Sequence, residues 1–463
     1  MMSSHAKAAA QFIKNTERTA WHDQALFFVR QKRDNVAKNI DEWEVLRTKA
    51  SQIKEHTVSN LEHYLTTFEK NAKANGIQVH WASDADEHNK IVAEIIENHK
   101  AKKLVKSKSM LTEECELNHF LEENGTEVVE TDLGERIMQF LKLPPSHIVL
   151  PAIHVKRQEV AEIFNKEIHT DANNSDPAYL TQAARMHLRE KFIEADISMT
   201  GVNFAVAEEG AFVVCTNEGN ADMGTSFANV HIASMGIEKL VPNYESLGIF
   251  TRLLARSATG QPITTYTAHY KKPAKGKEIH IILVDNNRTE ILKDKDHSNM
   301  LKCIRCGACM NTCPVYRRTG GYSYSYFIPG PLGINLSMLK EPKKHSGNVS
   351  ACSLCYSCSN VCPAKIDLAE QIYKWRQDLD KYGEADPMKK MVVKGMKKVM
   401  GSPGLFYAAI KSGRLINHMP RFMVYNGLND WGKGREMPVI ALKTFNEMWK
   451  KGEVRSNESS KNK

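Results

Sequence analysis

The chain has 463 residues, too many for one hydrophobic core, and its 42% hydrophobic and 25% charged content is that of an ordinary soluble globular protein. No apolar run approaches the roughly eighteen residues of a membrane-spanning helix, and Met1-Met2-Ser3-Ser4-His5 opens no secretory leader; the expected location is cytoplasmic. The net charge of +9 is concentrated in residues 386–463, where 16 Lys/Arg face 6 Asp/Glu. Such a tail can be simply solvated, or can dock an acidic protein, a membrane surface or nucleic acid.

In chain order, residues from about Ala8 to Ala74 read as helical, with few Gly or Pro and apolar positions at Ala25, Phe28, Val36 and Ile40. Long segments of this kind clasp a neighbouring domain or a partner. A different rhythm begins at Gly76. Ile77–Ala82 reads as a strand, and Asp84 with Glu87 caps a helix carrying Ile91, Val92, Ile95 and Ile96. Leu104-Val105 is the next strand, Thr112 the expected cap of a helix through Leu117, Phe120 and Leu121, and Val128-Val129 and Ile148–Leu150 further strands. A helix through Val160, Ile163 and Phe164, a polar loop over His169–Pro177 and a helix near Leu180–Ala195 follow. Strands Val202–Ala207 and Ala211–Cys215, a helix at Tyr244–Ala255 and a strand at Ile279–Val284 close the region. This alternation predicts a largely parallel sheet covered on both faces. The expected division is an N-terminal helical region at 1–75, an α/β domain at 76–296, a cysteine-rich domain at 297–385 and a basic extension at 386–463. Within the last two, Ile366–Asp380 and Met388–Met400 read as helices, and the final dozen residues as disordered.

Eight of the ten cysteines lie between Cys303 and Cys362. Cys303-Ile-Arg-Cys306-Gly-Ala-Cys309-Met-Asn-Thr-Cys313-Pro314 has the spacing C-x2-C-x2-C-x3-C-P, and Cys352-Ser-Leu-Cys355-Tyr-Ser-Cys358-Ser-Asn-Val-Cys362-Pro363 repeats it. A secreted disulfide framework would not crowd cysteines into two matching runs. Zinc sites pair two C-x2-C hooks and need four thiolates; two runs of four with a terminal Cys-Pro fit iron–sulfur cubes instead. In two-cluster ferredoxins the fourth cysteine of each run serves the other cluster. One [4Fe–4S] cluster is therefore expected on Cys303, Cys306, Cys309 and Cys362, the other on Cys352, Cys355, Cys358 and Cys313. Lys302, Arg305, Arg317, Arg318 and Lys365 are candidate cations for offsetting their negative charge. Tyr322, Tyr324 and Tyr326 alternate, so an extended segment would place the three rings on one face. Cys115 and Cys215 read as buried structural thiols.

The order of these features resembles the lactate-utilisation iron–sulfur proteins, which join an LUD-type α/β domain to a two-cluster ferredoxin-like domain with a C-terminal extension. The matching stretches are Lys106-Ser-Lys-Ser-Met-Leu-Thr-Glu-Glu114, Glu130-Thr-Asp-Leu-Gly-Glu135, Pro144-Pro-Ser-His-Ile148, Pro151-Ala-Ile-His154, Gly201-Val-Asn-Phe204 and Thr216-Asn-Glu-Gly-Asn220. One departure is Ala221-Asp222 where the family often has Gly-Arg. The resemblance implies a fold like that of ribose-phosphate isomerases and CoA transferases. It also implies a subunit of a multi-component system oxidising L-lactate to pyruvate, with a cysteine-rich redox subunit and a second LUD protein as companions.

Ligands of open α/β sheets gather at the C-terminal strand ends. Ser107, Lys108 and Ser109 sit between a strand and a helix, where hydroxyls, an ammonium and helix N–H groups can hold an anion. Asn217 and Asn220 follow another strand, and Glu218 between them is a candidate base or nucleophile. His147 and His154, flanking the expected strand at Ile148–Leu150, are candidates for proton transfer, and Asp132 and Glu135 for supporting roles. No G-x-G-x-x-G follows a strand, so no standard NAD or flavin dinucleotide site is visible. Oxidising a hydroxy acid needs a two-electron acceptor, whereas iron–sulfur cubes take single electrons; the expected role is therefore electron transfer, with the first acceptor on a partner. The rival readings are an autonomous acyl-transfer or isomerase-type enzyme with structural clusters, and an oxidant-sensing scaffold or regulator whose tail binds nucleic acid.

Overall fold

The computed structural model describes residues 4–383, 387–425, 436 and 438–454. Residues 1–382 form one compact unit and residues 383–463 another. In the first, strands β1 (Gln78–Ala82), β2 (Lys103–Ser107), β3 (Glu127–Glu130), β4 (Ile197–Gly201), β5 (Phe204–Val206), β6 (Ala211–Thr216), β7 (Val230–Gly236), β8 (Leu240–Val241), β9 (Tyr266–Tyr270) and β10 (Glu278–Val284) make two sheets. The larger has the order β1-β10-β7-β4-β2-β3 and is parallel throughout. The smaller, β8-β5-β6-β9, is mostly antiparallel, Phe204 pairing with Val213 and Cys215 with Thr267.

The parallel sheet is the one the alternating pattern predicts, yet β4 and β7 within it were not among the expected strands. The reason is burial on both faces: β7 reads Val-His-Ile-Ala-Ser-Met-Gly and every residue in it is buried. Its polar side chains find partners in place, His231 Nε2 in Thr200 at 2.8 Å and Ser234 in His88 at 2.8 Å. A strand of this kind shows no alternation to detect. Each fully buried Phe or Leu of the surrounding core, such as Phe212, Phe250 and Leu253, contributes about 1.5–3 kcal/mol.

Three other expectations are corrected. Ile148–Leu150 is not a strand but part of a loop running from Pro144 to Val155, where Ile148 is buried among cysteine-region side chains. Ser109, not Thr112, caps the helix Met110–Glu114, and a left-handed Glu116 separates it from a second helix at Leu117–Glu123. Tyr322, Tyr324 and Tyr326 do not share a face, because Gly321–Tyr324 is a 3-10 turn. Tyr324 is buried against His5 and Tyr316, whereas Tyr326 packs on Phe327 and His345.

The N-terminal segment is four helices, α1 (Ser4–Lys14), α2 (Thr16–Lys38), α3 (Trp43–Ser59) and α4 (Leu61–Ala74), interrupted at Asn15, at residues 39–42 and at Asn60. They clasp the rest of the same unit. The face α2 buries is Thr19, His22, Leu26 and Arg33, while Phe28 is exposed. A partly polar buried face makes sense because this helix meets loops with free carbonyls. Arg33 donates to Val361 O at 3.0 Å, and His22 Nδ1 pairs with Arg317 O at 2.9 Å. From α3, Arg47 donates to Cys362 O at 2.8 and 3.0 Å and to Asn360 O at 2.7 Å. One apolar cluster contains Trp43, Leu46 and Ala50 of α3, Phe204 and Phe250 of the α/β region, and Ile304, Cys306 and Val361 of the cysteine region.

The second unit contains helices at Pro387–Met400, Pro403–Gly413, Arg421–Val424 and Phe445–Lys450, with Met391, Val393, Met400 and Leu415 exposed. The expectation of a disordered terminus falls mainly on residues 455–463, outside the described residues. No helix among the described residues is long and apolar enough to cross a membrane.

Candidate functional site

The two cysteine runs fold into copies of one loop. Two residues after the first cysteine of each run, Arg305 and Leu354 are left-handed (φ 57° and 52°); one residue after the second, Gly307 and Tyr356 are as well (φ 77° and 59°). Short helices then begin at Ala308 and Ser357. These kinks turn backbone N–H groups inward. Arg305 N lies 3.4 Å from Cys303 Sγ and Leu354 N 3.4 Å from Cys352 Sγ, while Tyr316 N and Ile366 N approach Cys313 and Cys362 at 3.5 and 3.3 Å. Gly307 has a second reason to be glycine: a Cβ there would come within 3.0 Å of Val149.

All ten cysteines are free thiols. Burial pushes Cys306 up to about 12, with Cys362 and Cys303 adding repulsion and Arg33 pulling the other way. Burial likewise raises Cys358 to about 12, its repelling neighbours being Cys313, Cys352 and Cys355. The thiols thus sort into Cys303, Cys306, Cys309 and Cys362, and Cys313, Cys352, Cys355 and Cys358. Cys309 also interacts with Cys358 across the two sets, which places the sets side by side. The first set lines a small hollow with Leu332, Ile366 and Leu368. Four neighbouring thiols around a hollow, three of them buried, are a donor set that a multiply charged iron core would relieve, so the residues fit the cluster.

Of the expected charge-balancing cations, most are engaged elsewhere. Lys302 pairs with Glu55, Arg317 with Asp23, and Lys365 with Glu44. Only Arg305 among the five lines the cavity described next. The cations that favour ionised thiols in the first set include Arg33 at Cys306 and Arg47 at Cys362, and the ammoniums of Lys54 and Lys239 feel the neighbouring Cys303. No local sequence signal could have found them, since Arg47 is 315 residues from Cys362.

A cavity of about 260 Å³ lies at the C-terminal ends of β2, β4 and β7 and reaches the Cys306 loop. Ser107, Lys108, Ser109, Asn217, Glu218 and Asn220 all line it, so the structure brings together the two strand-end segments singled out from sequence. The approach is close: a Cβ on Gly201 would meet Ser109 Oγ at 2.6 Å. Lys108 Nζ donates to Val149 O at 3.0 Å and lies 3.4 Å from Asp132. Burial raises the Glu218 carboxyl, Asp132 raises it further and Lys108 opposes. Asn217 anchors Thr265 N at 3.2 Å, and Asn220 donates to Thr131 at 3.1 Å while its Oδ1 is buried without a partner.

His147 and His154 do not line this cavity, which corrects their reading as proton-transfer candidates. His147 Nδ1 accepts from Val149 N and Leu150 N, both at 3.0 Å, and its Nε2 pairs with Asn311 at 2.9 Å. Burial drives its pKa down to about 3. His154 pairs with Ser146 at 2.7 Å, and burial lowers it to about 4. Both shape the loop at 144–155, which packs against the cysteine region. Asp132 lines the cavity and caps Leu133–Leu141 through Glu135 N at 3.1 Å, whereas Glu135 is buried beneath it. Cys115 is buried; Cys215 is half-buried and lines the cavity. Sequence reasoning missed Glu114, Asn203, Ser234, Glu238, Lys239 and Arg288, which also line the cavity. Glu238 and Lys239 follow β7, itself undetected.

Residues 65–291 match the LUD domain profile and residues 299–366 that of the 4Fe-4S dicluster domain. The class is thus an electron-transport iron–sulfur protein built from an α/β LUD domain and a dicluster domain. The chain is 38% identical over 446 residues to lactate utilization protein B of Oceanobacillus iheyensis, covering 93% of each chain. It is 39% identical over 427 residues to the protein of that name from Bacillus cytotoxicus, covering 89% of this chain and 90% of that one. It is 36% identical over 440 residues to the uncharacterized electron transport protein YkgF of Escherichia coli (strain K12), covering 92% of each. The chain belongs to the lactate-utilisation iron–sulfur family.

Proposed function

We propose that this chain is the electron-transfer subunit of a cytoplasmic multi-component system that oxidises L-lactate to pyruvate. What supports the reading is that Cys362 of the second run joins Cys303, Cys306 and Cys309 of the first around one hollow, in a chain alike over 93% of its length to a protein named for lactate utilisation. Cys303, Cys306, Cys309 and Cys362 hold one [4Fe–4S] cluster; Cys352, Cys355, Cys358 and Cys313 hold the other. When bound, such clusters supply one-electron steps at closely spaced centres. The chain's own residues set the terms. Inward N–H groups steady the sulfurs, and Arg33, Arg47, Lys54 and Lys239 favour added negative charge on the first set.

Cys355 is exposed and Cys352 partly so, while Cys306, Cys309 and Cys362 are buried. The second set therefore faces a partner, here a cysteine-rich redox subunit or a second LUD protein, and the first set faces the LUD cavity. In that cavity Ser107, Lys108, Ser109, Asn217 and Asn220 form the binding wall and Glu218, its pKa raised by burial, is the proton-exchanging group. Anaerobic reconstitution with both partner proteins tests the role: adding L-lactate should bleach this chain's visible absorbance. Lactate oxidation by the partners at full rate without this chain would refute it.

A further inference from the structure

The wall of the cavity beside Cys306 holds two cations, Arg305 and Lys239, that no carboxylate among the described residues meets at hydrogen-bond distance. Arg288, Arg305, Lys239 and the adjacent Lys54 are matched there by Glu114 and Glu238. Arg288 consumes most of that negative charge, donating to Glu238 Oε2 at 2.6 Å and to Glu114 at 3.0 and 3.1 Å. Lys54 spends its ammonium on the carbonyls of Glu238 and Leu240. Arg305, only 14% exposed, is left 3.7 Å from Glu238 Oε1, beyond hydrogen-bond reach. Its Nη1 and Glu238 Oε1 are both buried without hydrogen-bond partners. Lys239 lines the same wall, and no hydrogen bond or ion pair engages its ammonium among the described residues. Buried cations left in this condition are costly unless an anion joins them.

The same cavity has a complementary need elsewhere in its lining. Asn220 Oδ1 is a buried acceptor without a donor, and Glu218 stands beside Lys108 with its pKa raised by burial. A small acid with a hydroxyl beside its carboxylate offers acceptors to the cations and a donor to Asn220 Oδ1 in the one cavity that both line. A cavity of about 260 Å³ holds an organic acid of a few carbons.

We propose that Arg305 and Lys239 bind the carboxylate of a small hydroxy acid whose hydroxyl reaches Asn220, which holds the acid against the loop carrying the first cysteine set. The proposal rests on the electron-transfer reading for its purpose, and makes this chain a binder of the organic acid as well as a conductor.

The test uses the anaerobic, iron-loaded full chain, titrated calorimetrically with L-lactate, acetate and inorganic phosphate, and followed by EPR after dithionite reduction. L-lactate should bind saturably and more tightly than acetate. Lys239→Met should weaken it at least tenfold with iron content unchanged, and Lys239→Arg should restore it. Lactate should perturb the EPR signal that Cys309→Ser removes, and leave the other unchanged. Should Lys239→Met not fold, Asn220→Ala should erase the preference for lactate over acetate. Absence of saturable carboxylate binding, or phosphate binding in its place, would overturn the proposal. So would a Lys239→Met chain whose first-cluster midpoint falls while its lactate affinity stays the same, since Lys239 would then serve the cluster alone. A chain that keeps its iron and conducts electrons yet binds no acid loses this site only; a chain without clusters loses the earlier reading.

Discussion

The two cysteine loops share a backbone and differ in everything around it. Arg305 and Leu354, Gly307 and Tyr356 repeat the same left-handed positions. The first set nonetheless lies among N-terminal helices and a cationic cavity wall, whereas the second has Cys355 exposed and Arg376 as the one cation acting on Cys352. A repeated motif fixes how a cluster is held; its surroundings decide how readily it takes an electron and from which side. The basic surroundings of the first set should give it the higher reduction potential, drawing electrons inward from the exposed set.

The largest effects come from breaking the pairing itself. Cys362→Ser should remove the same cluster as Cys303→Ser, and Cys313→Ser the same as Cys352→Ser, each leaving about half of the roughly eight irons expected for two cubes. Pairing within each run would instead group Cys303 with Cys313, which EPR of the four variants distinguishes. Next in size is Glu238→Gln, which removes the carboxylate that Arg288 Nε grips at 2.6 Å and leaves Glu114 as its remaining acidic partner. Breaking a buried pair of this kind costs about 3–5 kcal/mol, readable as a fall in thermal midpoint. Burial opposes Glu238 ionisation, but Arg288, Lys239 and Arg305 overcome it and lower its pKa to about 2. Its stabilisation is thus complete above the ordinary carboxylate range and lost as pH falls towards about 2, so the gap between wild type and variant should close in acid.

Arg47→Gln sharpens the comparison more gently. Loss of the bonds to Cys362 O and Asn360 O should cost about 2–3 kcal/mol and lower the first midpoint while sparing the second, as a potentiometric EPR titration would show. An equal shift of both would mean that the surroundings do not distinguish the sets. Glu218→Gln should have the smallest effect. With its folded pKa raised, Glu218 supports the fold below the ordinary carboxylate range, and this contribution fades as pH rises through the raised value. The neutral amide should remove that fading, leaving the variant slightly more stable at neutral pH with its iron intact.

The parts legible in the sequence were those written locally. The two cysteine runs carry their spacing in twelve residues each, and Ser107–Ser109 and Asn217–Asn220 follow strands with a visible apolar signature. The rest depended on contacts made across the chain. β7 hid because its polar residues are hydrogen-bonded inside the sheet. Ile148–Leu150 looked like a strand because its apolar residues pack against another region rather than pair with a neighbour, and His147 and His154 were misjudged with it. Arg33, Arg47 and Lys54 belong to helices whose sequence shows ordinary surface charge. Their purpose exists only once α2 and α3 close over loops some 300 residues away.

The central claim is that these loops grip two iron–sulfur cubes close enough to sense each other. The most direct measurement is EPR of the anaerobically purified chain after stepwise reduction, with metal analysis of the same sample. Two [4Fe–4S]⁺ signals broadened by mutual spin coupling, and collapsing to one uncoupled signal in Cys309→Ser, are predicted. Zinc in place of iron, or two signals that ignore each other in the wild type, would contradict the account.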